Sequence, residues 1–178
     1  LAIASGKKGP VVYGARTGER RPEAFSYCFR TPPGGGYPPI LDGHVIEPGE
    51  TITIKGQGGS IALTPFTQAH GEIDSFGYRI GDLAYSCDLS DVPEASLPAL
   101  SNLDTWIVDA LRHRPHPSHF SVSDALSWIE RMAPKQAVLT NLHIDLDYDT
   151  LDRETPDNVT PAFDGMVIEI GGAGTATP

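Results

Sequence analysis

The chain has 178 residues, long enough to enclose one sizeable core, and 23 acidic against 13 basic residues give it a net charge of −10. A surface of that sign repels nucleic-acid backbone, which excludes a broad duplex-binding face but leaves room for a small phosphate ligand beside a bound cation. Two cysteines exclude a disulfide framework and a thiolate zinc site, and no apolar run has the length of a membrane span, so a reducing, cytoplasmic setting is expected.

An apolar opening at residues 1–4 reads as the end of an interrupted element. Strands are expected at 11–13, 51–54, 61–66, 76–80 and 83–86; the run Thr51-Ile-Thr-Ile alternates at period two, as a half-buried strand does. Gly81-Asp82 between two such runs predicts a tight hairpin turn. The proline- and glycine-rich stretch 31–39 must be loop. Beyond it, 105–110 reads as a buried strand. Residues 121–132 read as a helix with Val122, Ala125, Leu126, Ile129 and Met132 on one face, capped by Ser121 or Ser123 and ended by Pro134. Strands at 137–140 and 166–170 complete a strand–helix–strand unit, and 171–178 reads as a frayed, flexible tail. A β-rich half followed by alternating elements implies a mixed sheet with helices on its face.

Polar groups fall at the ends of these strands. His70 follows 61–66, Asp88 follows 83–86, Asp109 closes 105–110, and His143 follows 137–140. Imidazole and carboxylate without thiolate suit a catalytic metal site, and a carboxylate can bridge two metals. Each residue also has an ordinary reading: His70 as a loop hydrogen-bonder, Asp88 as a turn or cap residue, Asp109 as a satisfied structural carboxylate. The segment Arg112-His-Arg-Pro-His-Pro-Ser-His119 puts three histidines and two arginines beside the expected helix start. That composition suits phosphate recognition or proton donation to a leaving group, His119 being best placed and His116 and His113 less so. Asp145, Asp147 and Asp149 lack the glycine turn and spacing of a calcium loop; Asp145 and Asp147 instead suit orientation of His143 or capping of a helix from about Tyr148.

Taken in order, several segments resemble the phosphodiesterase branch of the metallo-β-lactamase superfamily, in particular the cyclic phosphodiesterases of bacterial phosphonate degradation. They are Tyr27-Cys-Phe-Arg-Thr-Pro-Pro, Tyr37-Pro-Pro-Ile-Leu, His70-Gly-Glu-Ile-Asp-Ser-Phe-Gly-Tyr, Tyr85-Ser-Cys-Asp-Leu-Ser-Asp, Asp109-Ala-Leu-Arg, His116-Pro-Ser-His, Asn141-Leu-His-Ile-Asp-Leu-Asp and Phe163-Asp-Gly-Met.

The resemblance implies an α/β fold, a metallo-β-lactamase-like αββα sandwich. Residues 1–170 would form the C-terminal two-thirds of a single domain, with the His-x-His-x-Asp-His motif of the superfamily lying before Leu1. It also implies two divalent metal ions, zinc before manganese. His70 and Asp88 match a histidine ligand and the metal-bridging aspartate. The last histidine position holds Asn141, so His143, two residues on, is the favoured substitute and Asn141 the second choice. His119 matches the histidine that contacts phosphate or assists the leaving group, with His116 beside it. The implied activity is hydrolysis of a small cyclic or nucleotide-like phosphodiester by a metal-bound hydroxide, with His119 and Asp88 as catalytic groups. No membrane or extended nucleic-acid partner is implied, and a homodimer is left open. The alternatives are an RNA 3′-end processing nuclease of the same fold and a non-catalytic phosphate-binding module.

Overall fold

The computed structural model describes residues 8–15 and 25–170; the apolar opening at 1–4 and the tail at 171–178 lie outside the described residues. The chain divides into two compact units, Leu1–Glu50 and Thr51–Pro178. In the first, strand β1 (Gly9–Gly14) pairs in parallel with β2 (Leu41–Ile46), Gly9 opposite Leu41 and Gly14 opposite Ile46. A single helical turn, α1 (Ser26–Phe29), lies between them in sequence. The stretch 31–39 is loop, turned at Gly34, whose φ is 75°.

The second unit carries a seven-stranded sheet whose spatial order follows the sequence: β3 (Ile52–Gly56), β4 (Gly59–His70), β5 (Ile73–Ile80), β6 (Leu83–Ser86), β7 (Thr105–Asp109), β8 (Gln136–Thr140) and β9 (Val159–Pro161). Strands β3 to β6 are antiparallel neighbours, whereas β6 to β9 are parallel. The β5–β6 hairpin closes over Gly81-Asp82, with Ile80 opposite Leu83 and Gly81 at φ 58°, as the sequence predicted. Because β4 is separated from β6 by one antiparallel step on each side of β5, it runs in the same direction as β6 through β9. Their C-terminal ends therefore share one edge of the sheet.

Helix α2 (Val122–Met132) makes the right-hand half of the unit possible by connecting parallel β7 and β8. Ser121 accepts from the Asp124 backbone amide and the Asp124 carboxylate accepts from the Ser121 backbone amide, a reciprocal capping box. Ala133 leaves the helix in the left-handed region, just before Pro134. Val122, Ala125 and Ile129 are buried in one core with Trp106, Val108, Leu139 and Leu151, and Leu126 and Met132 pack on its rim. A 3₁₀ helix (Glu94–Leu100) and helix α3 (Tyr148–Glu154) complete the unit, the latter capped by Asp147.

The last strand is not where hydrophobicity put it. Residues 166–170 form no regular structure and Val167 is 84% exposed, while Val159 and Pro161 are buried as β9 beside β8. The deciding contact is non-local: the Ala137 amide donates to the Asn158 carbonyl, which docks the shorter segment on the sheet. Among the described residues no helix is long and apolar enough to cross a membrane.

Candidate metal and phosphate site

The shared sheet edge gathers the polar residues. His70 ends β4, Asp88 lies just past β6, Asp109 ends β7 and Asn141 follows β8. Asp88 and Asn141 both leave their strands with positive φ, 57° and 60°. The left-handed region is disfavoured for most side chains, but aspartate and asparagine tolerate it. The loop between β7 and α2 is folded back over the edge. Phe120 donates its amide to the Leu89 carbonyl, Leu111 donates to the Phe120 carbonyl, and the buried Phe120 ring stacks on Trp128. That anchor fixes His119 next to it.

Asp109 organises the centre. It has no solvent exposure, and both oxygens meet donors: the Asn141 side-chain amide at 3.1 Å on Oδ1, and His119 Nδ1 at 2.6 Å and the Leu89 amide at 3.4 Å on Oδ2. A carboxylate only accepts, so His119 carries its proton on Nδ1 and leaves Nε2 with a lone pair. His70 is set the same way, since its Nδ1 donates to the Ser118 carbonyl at 2.7 Å. The His70 and His119 rings meet edge to face, 4.8 Å between centroids, and the His116 ring lies 5.0 Å from that of His119. His116 has the opposite arrangement: its Nδ1 accepts from the Ser118 amide at 3.3 Å, which puts the proton on Nε2. Loss of solvent around this ring, then the nearby Arg112 charge, lowers its pKa and favours its neutral form. His113 is exposed.

Asp88 differs from Asp109 in being open. Its side chain is 58% exposed, with Oδ1 3.8 Å from His119 Nδ1 and 3.7 Å from the Cys87 thiol. Ligand atoms of Cys87, Asp88 and Asp109 all lie within 4.8 Å of one another. The open carboxylate of Asp88, with the His70 and His119 imidazoles at the same sheet edge and Asp109 held behind them, is the type of donor set that suits a divalent cation. The charge of the two carboxylates is felt nearby. Tyr85 is pushed up to about 12, chiefly by burial and then by Cys87, Asp88 and Asp109; burial likewise raises Cys87, keeping it a thiol.

The structure thus brings together His70, Asp88, His116 and His119, with Asp109 and Asn141 between them. His143 stands apart in its contacts: its amide donates to the Leu111 carbonyl and its Nδ1 lies 3.2 Å from Asp145 Oδ2. Asp145 is the residue expected to orient it, and Asp147 caps α3 through the Thr150 amide. Arg112, expected among phosphate donors, gives its guanidinium to the Arg114 and Pro115 carbonyls and braces the loop. Gln68 and Ser75, which touch the backbone around Asp88, carried no local signal beyond Gln68 sharing a strand face with His70.

Comparison with known proteins places these features in a lineage. A family model described as "Beta-lactamase superfamily domain" matches residues 1–144. A crystal structure of a diphosphatase from the PhnP family is 30% identical, with a TM-score of 0.77 over 91% of this chain and 58% of that one. The metallo-β-lactamase fold protein YhfI from Bacillus subtilis is 18% identical, with a TM-score of 0.68 over 92% of this chain and 66% of its own. An octanoyltransferase of Porphyromonas gingivalis is 26% identical over 147 residues, which are 81% of this chain and 29% of that protein. The chain therefore spans well under two-thirds of the diphosphatase and of the octanoyltransferase.

Proposed function

The chain belongs to the beta-lactamase superfamily domain family and has the metallo-β-lactamase fold, and from that premise we propose that it acts in metal-dependent hydrolysis of a small phosphodiester. The observation that carries this reading is the matched pair of imidazoles. His70 and His119 each hold Nδ1–H on an oxygen acceptor, which leaves Nε2 as the basic nitrogen of each neutral ring; the two rings meet edge to face, and His119 Nδ1 lies 3.8 Å from the exposed carboxylate of Asp88.

His70 and Asp88 would hold metal, two ions with zinc before manganese. A bound divalent cation supplies Lewis-acid stabilisation of phosphoryl charge and lowers the pKa of water. His143, its ring braced by Asp145, is the favoured candidate for the last histidine position of the family's larger ligand set, and Asn141, already engaged with Asp109, is the second. Asp109 is assigned to orientation, because both of its oxygens are already used. His116 would donate from Nε2 to a phosphate oxygen without adding charge. His119 would take up a proton from solvent at Nε2 and give it to the leaving oxygen as the phosphorus–oxygen bond breaks, while Asp109 keeps Nδ1–H in place.

The activity of the 30% identical relative, a diphosphatase, supports a phosphorus–oxygen bond as the target, and the net charge of −10 supports a small substrate. The test is turnover of an aryl phosphodiester by the intact protein with added zinc or manganese. Metal-dependent turnover that Asp88→Ala abolishes is expected; turnover indifferent to chelator or to Asp88→Ala would overturn the reading.

A further inference from the structure

Asp88 sits in the left-handed region, and the two carbonyls that flank its turn are both held by side chains from neighbouring strands. Gln68 on β4 donates its amide nitrogen to the Cys87 carbonyl at 3.1 Å and to Ser75 Oγ at 3.1 Å. Ser75 on β5, the cross-strand partner of Gln68, donates its hydroxyl to the Asp88 carbonyl at 2.6 Å. The chain of donors has one consistent direction. The serine proton is spent on Asp88, so Ser75 can only accept from Gln68, and the amide nitrogen must face it.

Gln68 is fully buried, and its Oε1 has no hydrogen-bond partner among the described residues. It lies against Gly77, where an added Cβ would stand 2.5 Å from it. A buried amide with an unpaired acceptor is disfavoured against an apolar side chain of similar size, so core packing alone gives no reason for glutamine here. The geometry points to Gln68 and Ser75 as positioning residues for Asp88: they hold the Cys87–Asp88 peptides so that the carboxylate faces Asp109 and His119. This rests on the reading of Asp88 as a metal-holding carboxylate. It makes the β4 face a continuous series, with Phe66 in the core, Gln68 behind the aspartate and His70 in the site.

Ser75 is only half-buried, so Ser75→Ala should fold. Two readouts on the full chain separate positioning from plain stability. In metal-free protein, amide exchange at Leu89, whose N–H is accepted by Asp109, should quicken about tenfold in Ser75→Ala, while Leu139 in β8 is unchanged. Zinc affinity by calorimetry should fall about tenfold, the usual scale for a group that orients a ligand. Ser75→Thr, which keeps the hydroxyl, should restore both, and Gln68→Met should reproduce the loss. Leu89 protection unchanged in Ser75→Ala, or Leu89 and Leu139 quickening by the same factor, would overturn the proposal. Zinc binding by the parent protein that is insensitive to Ser75→Ala would overturn it as well. A parent protein that binds no zinc would remove the metal reading of Asp88, and this proposal with it.

Discussion

His119 Nδ1 stands 2.6 Å from Asp109 Oδ2, and that carboxylate is sealed from solvent. The pair sets which nitrogen of His119 is free, and donors meet both oxygens of Asp109.

An amide at position 109 would therefore meet an N–H whichever way it turned. Asp109→Asn is expected to lower kcat about 10²-fold or more for a phosphodiester with an alkoxide leaving group, the scale of a lost proton-transfer partner. With a p-nitrophenolate leaving group, which departs without a proton, the loss should be much smaller. His119→Ala should show the same split. Equal losses on both substrates would place His119 outside proton transfer.

Gly77 tests how tightly the sheet is packed behind the site. A Cβ there would lie 2.3 Å from Phe66 Cζ and 2.5 Å from Gln68 Oε1. Gly77→Ala is expected to destabilise by about 1–3 kcal/mol, the usual cost of overpacking, read by urea unfolding. Adding Phe66→Leu, which removes the ring atoms, should recover part of the loss.

The helix that joins β7 to β8 begins at a reciprocal cap. Ser121→Ala removes the acceptor of the Asp124 amide, with an expected cost of about 1 kcal/mol. In a chain of this size that corresponds to roughly 2–4 °C in melting temperature, measurable by calorimetry.

Acid should loosen α3. The Asp147 carboxylate accepts from the Thr150 hydroxyl and amide, and these bonds hold its pKa below the ordinary 3.8. A carboxyl depressed on folding stabilises fully above its unfolded value, and that contribution is lost as pH falls through the lower folded value. Stability should therefore decline with acid in the region below pH 3.8. Asp147→Asn, which caps without titrating, should flatten that part of the profile and leave neutral pH little changed.

What the sequence disclosed was what local chemistry decides. A serine cap at 121 or 123, the turn at Gly81-Asp82, and the apolar stripe from Val122 to Met132 each act within a few residues; Ser121 is the cap, and the turn and the stripe form where expected. The three-residue strand β9 has too short a pattern to outbid the longer apolar run at 166–170; it exists because β8 has a free edge for it. His70, Asp88 and His119 were visible as polar groups at strand ends and in a histidine-rich loop. Asp109 was visible among the same strand ends and Asn141 as the alternative to His143, but their contact with each other and the support from Gln68 were not, since both depend on which strands are neighbours. Nor does spacing alone reveal that Arg112 spends its guanidinium on its own loop.

The sheet edge that brings these groups together also sets when they can meet. The hydrogen bonds at the cluster span long stretches of chain, 48 positions from His70 to Ser118 and 32 from Asp109 to Asn141. Closing such loops costs entropy before any contact repays it, and parallel pairs wait for their crossovers. During synthesis Asp109 meets the Asn141 donor only after β8 has emerged and docked. Contacts formed that late are weakly developed in the folding transition state, so substitutions at His119 or Asn141 should hasten unfolding and leave the refolding rate nearly unchanged in stopped-flow experiments.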